Sequence, residues 1–294
     1  MRDGNHDSDR GGPPSGDPPL PDGNGLRGVG LGLLDRMNNY LLLIYAGACL
    51  LMNYSIAGIL YLRGMTYPSI ILPGLFAILG PLYLLTRRSG LGFVREFGFE
   101  RPSAGVALAG LAVALSSILP IEAFSALFER TRPPDADYIS FILSIKPKGP
   151  ESFALAALGV AIVGPIGEEL LFRGFVQRIF ARNMSGALAV ALAGVLFGLS
   201  HFSIAVLPGV VALGVLYGYI YHATRSLWCP IMAHAVFNFS SLLRLHAATE
   251  EEIISAAVEL PGIALTLLSL AACVVSLGLL RRAARAGGFH RRRA

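Results

Sequence analysis

Apolar runs of about twenty residues recur along this chain, separated by short polar stretches, and they constrain its fold more than any other feature. A run of that length crosses the hydrocarbon core of a bilayer as a helix. Lipid offers no partners to backbone N–H and C=O groups, so such segments have to be helical. Eight spans are expected, at residues 39–62, 68–86, 104–126, 153–177, 187–206, 208–224, 228–245 and 260–280, with Pro208 blurring the break between the fifth and sixth. The composition agrees: 54% hydrophobic, 15% charged, mean hydropathy +0.60. A soluble domain of this length does not look like that. The expected fold is all-α, a polytopic transmembrane helix bundle with a polar intramembrane cavity.

The ends are a different material. Residues 1–34, beginning "MRDGNHDSDRGGPPSGDPPLPDGNG", are rich in Gly, Pro, Asp and Asn and are expected to be disordered, since they offer little apolar surface to bury. They do not read as a signal peptide, because no basic start leads directly into an apolar core. Cytoplasmic loops carry the excess of Lys and Arg. With the N-terminus inside, seventeen basic residues fall on the cytoplasmic side and six on the other, leaving Arg173 within a span. Both termini are therefore expected in the cytoplasm of a bacterial inner membrane. The final "RRAARAGGFHRRR" suits an anionic lipid surface, although a plain stop-transfer flank accounts for it equally. The net charge of +5 sits beside spans, which points to the lipid bilayer and away from nucleic acid. Cys49, Cys229 and Cys273 are far apart and give neither a disulfide framework nor a cysteine metal site.

Few ionisable residues remain at membrane depth, and a charge there costs several kcal/mol. They are Glu168, Glu169 and Arg173 in "IGEELLFRGF", His201 in "FGLSHF", and His234, four residues before Asn238, in "AHAVFN". Glu169 and Arg173 are four apart, acid before base, the favoured order for a pair on one helical face. Glu168 points about 100° away from Glu169 and has no basic partner at helical spacing. One acid reads as structural and the other as free to act. Phe197 and His201 share a face, as do His234 and Asn238. A single membrane histidine is more often an interhelical hydrogen-bond partner than a catalyst. A free Glu, two His and an Asn on three spans, however, are the parts needed to activate water and hold an oxyanion. Pro165 and the glycines before the acids suggest irregular backbone lining a wet cavity, although a plain kink explains them too.

"EELLFR", "FGLSH" and "HAVFN" correspond to E-E-x-x-x-R, F-x-x-x-H and H-x-x-x-N, and in this order they resemble the CPBP family of intramembrane proteases, the Abi or CAAX-protease group. The resemblance covers about residues 150–245. It implies a glutamate-type endopeptidase domain over residues 35–282, between the N-terminal tail and a basic tail at 283–294. It also implies roles: Glu168 as the base that activates water, helped by His201; His234 and Asn238 as oxyanion donors; Glu169 and Arg173 as supports, with Phe197 walling the imidazole. Many relatives are labelled metalloproteases, and Glu168, His201 and His234 would be the ligands of a zinc ion. The metal-free route is favoured, since there is no H-E-x-x-H.

The implied partner is a membrane-anchored protein or peptide, cut at a leader, a C-terminal anchor or sorting signal, or a CAAX-like tail. The alternatives are a non-catalytic scaffold or bacteriocin-immunity protein that binds peptide in the same cavity, and a transporter with a Glu/His proton relay. The sequence carries no signal of oligomeric state.

Overall fold

The computed structural model describes residues 37–255 and 260–286. The expected N-terminal disorder and most of the basic C-terminal tail lie outside the described residues. The rest is helical: α1 Asn39–Leu62, α2 Thr66–Arg88, α3 Phe93–Phe97, α4 Ala104–Glu129, α5 Ala136–Ile145, α6 Pro150–Ala181, α7 Gly186–Leu199, α8 Leu207–Thr224, α9 Trp228–Ala247, α10 Glu250–Ile254 and α11 Ile263–Ala286. Several starts follow from capping chemistry. The side chains of Asn38, Ser103, Asp135 and Ser185 accept the N–H groups of Tyr40, Val106, Tyr138 and Leu188.

Five helices are long and apolar enough to cross a membrane: α1, α2, α4, α6 and α11. The chain is a multi-pass membrane protein. α7, α8 and α9 correspond to the other three expected spans: α7 is apolar but only 14 residues long, and α8 and α9 carry Tyr217, Tyr221, His234 and Asn238. The fifth span, expected over 187–206, ends as a helix at Leu199. There the Ser200 hydroxyl donates back to the Phe197 carbonyl, and Phe202 takes a left-handed φ of 50°, which ends the helix and starts a loop. α5 was not expected. Its ten residues are too few to span, so the helix falls within what reads as a loop.

α6 runs for 32 residues through the middle of the bundle. Its backbone widens twice into π-helical turns, over Leu158–Val163 and Leu170–Val176, on either side of the Glu168–Glu169 doublet. Pro165 lacks an N–H and cannot continue an α-helical ladder, and the wide turn that precedes it absorbs the mismatch. The sequence cue of Pro and Gly beside the acids thus marks irregular backbone.

α7 and α8 form an antiparallel pair whose contact is built on glycine. Each carries the same five-residue pattern, "GVLFG" from Gly194 to Gly198 and "GVLYG" from Gly214 to Gly218. A Cβ on Gly214 would lie 2.7 Å from the Gly194 carbonyl oxygen, so the backbones touch. Gly214→Ala is expected to lose about 1–3 kcal/mol through overpacking, read as a fall in Tm in detergent. The aromatic residue of each pattern, Phe197 and Tyr217, is buried and faces α6 and α9.

Candidate active site

The doublet splits as the helical geometry requires. Glu169 is fully buried and its Oε1 accepts from Arg173 Nη1 at 2.9 Å, with Arg173 itself fully buried. Arg173 also donates through Nη2 to the Gly214 carbonyl at 2.8 Å, a reach that the glycine contact of α7 and α8 leaves open. Its guanidinium lies over the Phe197 ring at 4.5 Å and the Tyr217 ring at 5.6 Å. One arginine thereby ties α6 to α7 and α8.

Glu168 has a side chain that is 35% exposed, lines the cavity, and makes no hydrogen bond among the described residues. Its Oε2 lies 3.8 Å from His234 Nε2. The other ring nitrogen of His234, Nδ1, lies 2.9 Å from Glu169 Oε1. A carboxylate only accepts, so Nδ1 carries the proton. The imidazole thus bridges the two acids, held on one side by the buried carboxylate and facing the free one on the other. Glu169 is more than half of an intrahelical pair, because it also orients a histidine from α9. Tyr217 stacks on His234 at 4.8 Å between ring centroids and fixes the plane of its ring.

Phe197 stands at the centre of this group, with edge-on ring contacts to Phe172, His201 and His234 at 5.2, 5.0 and 5.7 Å. The aromatic wall expected beside His201 is present. His201 Nδ1 donates to the Phe197 carbonyl at 2.9 Å, which in the neutral ring leaves Nε2 as an acceptor. Asn238 Nδ2 donates to the Val160 carbonyl, in the first widened turn of α6, at 2.9 Å.

Glu168, His201 and Asn238 line one cavity of about 620 Å³. Its walls come from α1, α2, α5, α6 and α9, and from the end of α7. All seven residues singled out in the sequence therefore belong to this cavity or to the buried cluster behind it. As metal ligands they fit less well. Among the described residues no three His, Cys, Asp or Glu side chains converge as a group able to hold an ion, so Glu168, His201 and His234 do not make the set that zinc would need.

Two contributions escaped the sequence reading. Tyr217 was passed over, although "GVLYG" repeats the "GVLFG" that carries Phe197. Asn53 and Tyr54 of α1 line the cavity as well, and the Tyr54 hydroxyl donates to the Ser200 carbonyl, beside His201. A search of the spans for ionisable groups passes over an amide and a phenol.

A buried acid–arginine–histidine cluster thus stands behind a cavity-facing glutamate inside a membrane helix bundle. Residues 150–240, which hold all of its expected residues, match the model of the family described as type II CAAX prenyl endopeptidase Rce1-like. The chain is also similar to the "Putative membrane peptidase YdiL" of Bacillus subtilis (strain 168), with 32% identity over 78 residues, 26% of this chain and 32% of the relative. It thus spans about a third of the length of that curated relative. No solved structure matches it.

Proposed function

We propose that this protein is an intramembrane endopeptidase that hydrolyses a peptide bond of a membrane-anchored protein substrate, with Glu168 as the base. The observation that carries the reading is the division of labour in the doublet: a buried Glu169 whose Oε1 accepts from both Arg173 and His234, beside a Glu168 that faces the cavity without a hydrogen bond. The family match over residues 150–240 supports it.

Glu168 takes a proton from water as the water oxygen bonds to the scissile carbonyl carbon, and the C=O electron pair moves onto oxygen. His201 Nε2, an acceptor, helps to hold that water. The oxyanion is met by donors from α9, namely the remaining Nδ2 hydrogen of Asn238 and His234 Nε2 in its protonated form. With Nδ1 already given to Glu169, His234 donates at Nε2 only as imidazolium, with the Glu168 carboxylate 3.8 Å away. Collapse of the intermediate re-forms C=O and expels the amine, which receives the proton from Glu168.

The substrate is a leader, a C-terminal anchor or sorting signal, or a CAAX-like tail. Binding without turnover, as in a scaffold or immunity protein, would give no purpose to a Glu168 that faces the cavity without a hydrogen bond. The excess of arginine on one side supports cytoplasmic termini in a bacterial inner membrane.

The test is the purified protein in bilayers with a panel of such membrane-anchored peptides. Site-specific cleavage is expected, and peptide binding without any cleavage would favour the scaffold. Because the three candidate ligands do not converge, dialysis against strong chelators is expected to leave the rate unchanged. Loss of activity on chelation, restored by zinc, would overturn the metal-free route.

A further inference from the structure

The α1 wall of the cavity carries a polar group that nothing in the catalytic cluster uses. Leu50, Asn53, Tyr54 and Ala57 form one stripe at i, i+3, i+4 and i+7, and that stripe lines the same cavity as Glu168, His201 and Asn238. Asn53 lies well inside the 24-residue span α1. Among the described residues its side chain makes no hydrogen bond with the protein. An amide at that depth without a partner costs free energy that a leucine would not, so its place calls for a ligand. The neighbouring Tyr54 is bonded to the Ser200 carbonyl, which fastens α1 to the end of α7 next to His201. Asn53 is therefore held in a set position relative to the imidazole.

We infer that Asn53 is a substrate-binding residue that pairs with the main chain of the peptide and so registers the scissile bond on Glu168. The inference rests on the peptidase reading above. A peptide bond open to hydrolysis lies in an extended segment, and each of its units presents an N–H and a C=O. Much of the cavity lining offers them nothing, since Ala57, Ile70, Pro73 and Ile142 are apolar. The backbone of α1 is a regular helix whose own groups are already paired, so only its side chains can serve. The Asn53 amide carries one acceptor and two donors in a plane, and it matches the N–H and C=O of a single peptide unit. Such pairing is indifferent to substrate side chains. It would select for an unwound segment and against an intact helix, whose main-chain groups are occupied.

The experiment uses the full-length protein in lipid nanodiscs and one cleavable membrane-anchored peptide, made also as a series in which single backbone amides are N-methylated. Asn53→Leu is expected to lower kcat/KM about tenfold, mainly through KM, as loss of one hydrogen-bonded pair in an apolar cavity would. One methylated position should lower the wild-type value by a similar factor and cost Asn53→Leu nothing further. In parallel, binding of the same peptides to the non-cleaving Glu168→Gln protein is compared with and without Asn53→Leu, so turnover is not required. Binding weakened about tenfold, and only for peptides with that one amide intact, supports the contact even if no cleavage is seen and the peptidase reading fails. Equal kcat/KM in Asn53→Leu and wild type, or a uniform loss across the whole methylated series with a lowered Tm, overturns it while leaving the peptidase reading in place. Absence of both cleavage and binding for every peptide overturns both.

Discussion

Glu168→Gln is expected to lower kcat/KM by about 10³-fold while leaving the fold intact. General-base catalysis contributes about 10²–10⁴-fold, and glutamine keeps the size of the side chain but cannot take a proton from water. The fold should not notice. Glu168 is 35% exposed to the cavity and makes no hydrogen bond among the described residues, so nothing packed depends on its charge. The expected signature is a kcat that collapses with KM and Tm near wild type, which is the pattern of an interaction made only in the transition state. The measurement is single-turnover cleavage of a membrane-anchored peptide in bilayers, alongside thermal unfolding of the same preparation. Processing by Glu168→Gln at the wild-type rate would remove Glu168 from the base role.

Arg173→Ala is expected to do the reverse, with the fold failing before the chemistry. Breaking a buried ion pair by removing one partner costs about 3–5 kcal/mol, because the remaining charge is stranded away from water. Here the stranded group is Glu169, whose Oε2 is already buried without a hydrogen-bond partner and whose Oε1 relies on Arg173 and His234. The Gly214 carbonyl also loses its donor, and the Phe197 and Tyr217 rings lose their cation. A large drop in Tm and in the folded fraction in detergent is the expected outcome. Arg173→Lys should recover only part of it, since a single ammonium lacks the planar fork that serves Glu169 and Gly214 together. Removing both charges, as Glu169→Gln with Arg173→Met, should cost less than Arg173→Ala alone. A Tm unchanged by Arg173→Ala would show that the pair does not brace the bundle.

These two outcomes test a contrast that one helix turn made visible. Adjacent residues on a helix point about 100° apart, so Glu168 and Glu169 could not share a role, and Arg173 at four residues' distance had to serve the second. His201 beside Phe197 followed from the same spacing. α5 and the early end of α7 were not legible in this way. Ten apolar residues match no spanning template, and the stop at Leu199 depends on the back-bonded Ser200 hydroxyl and the left-handed Phe202 rather than on hydropathy. Asn53 escaped because its span, unlike that of Asn238, holds no charged residue or histidine to draw attention to it.

The sequence by itself determined that the chain lies in a membrane as helices, because runs of that length and composition have no other way to satisfy their backbones in lipid. It also determined the separation of the two acids and the pairing of the second with Arg173, because both are local and obey helical periodicity. Only the tertiary structure decided which acid receives His234. The two residues are sixty-five positions apart, and their meeting depends on how far α6 and α9 rotate about their axes. That rotation is set by packing, including the glycine contact that brings α8 close enough for Arg173 to reach Gly214 and for Tyr217 to stack on the imidazole. The convergence of α1 on the same cavity is likewise a matter of helix packing, which no period along the chain encodes.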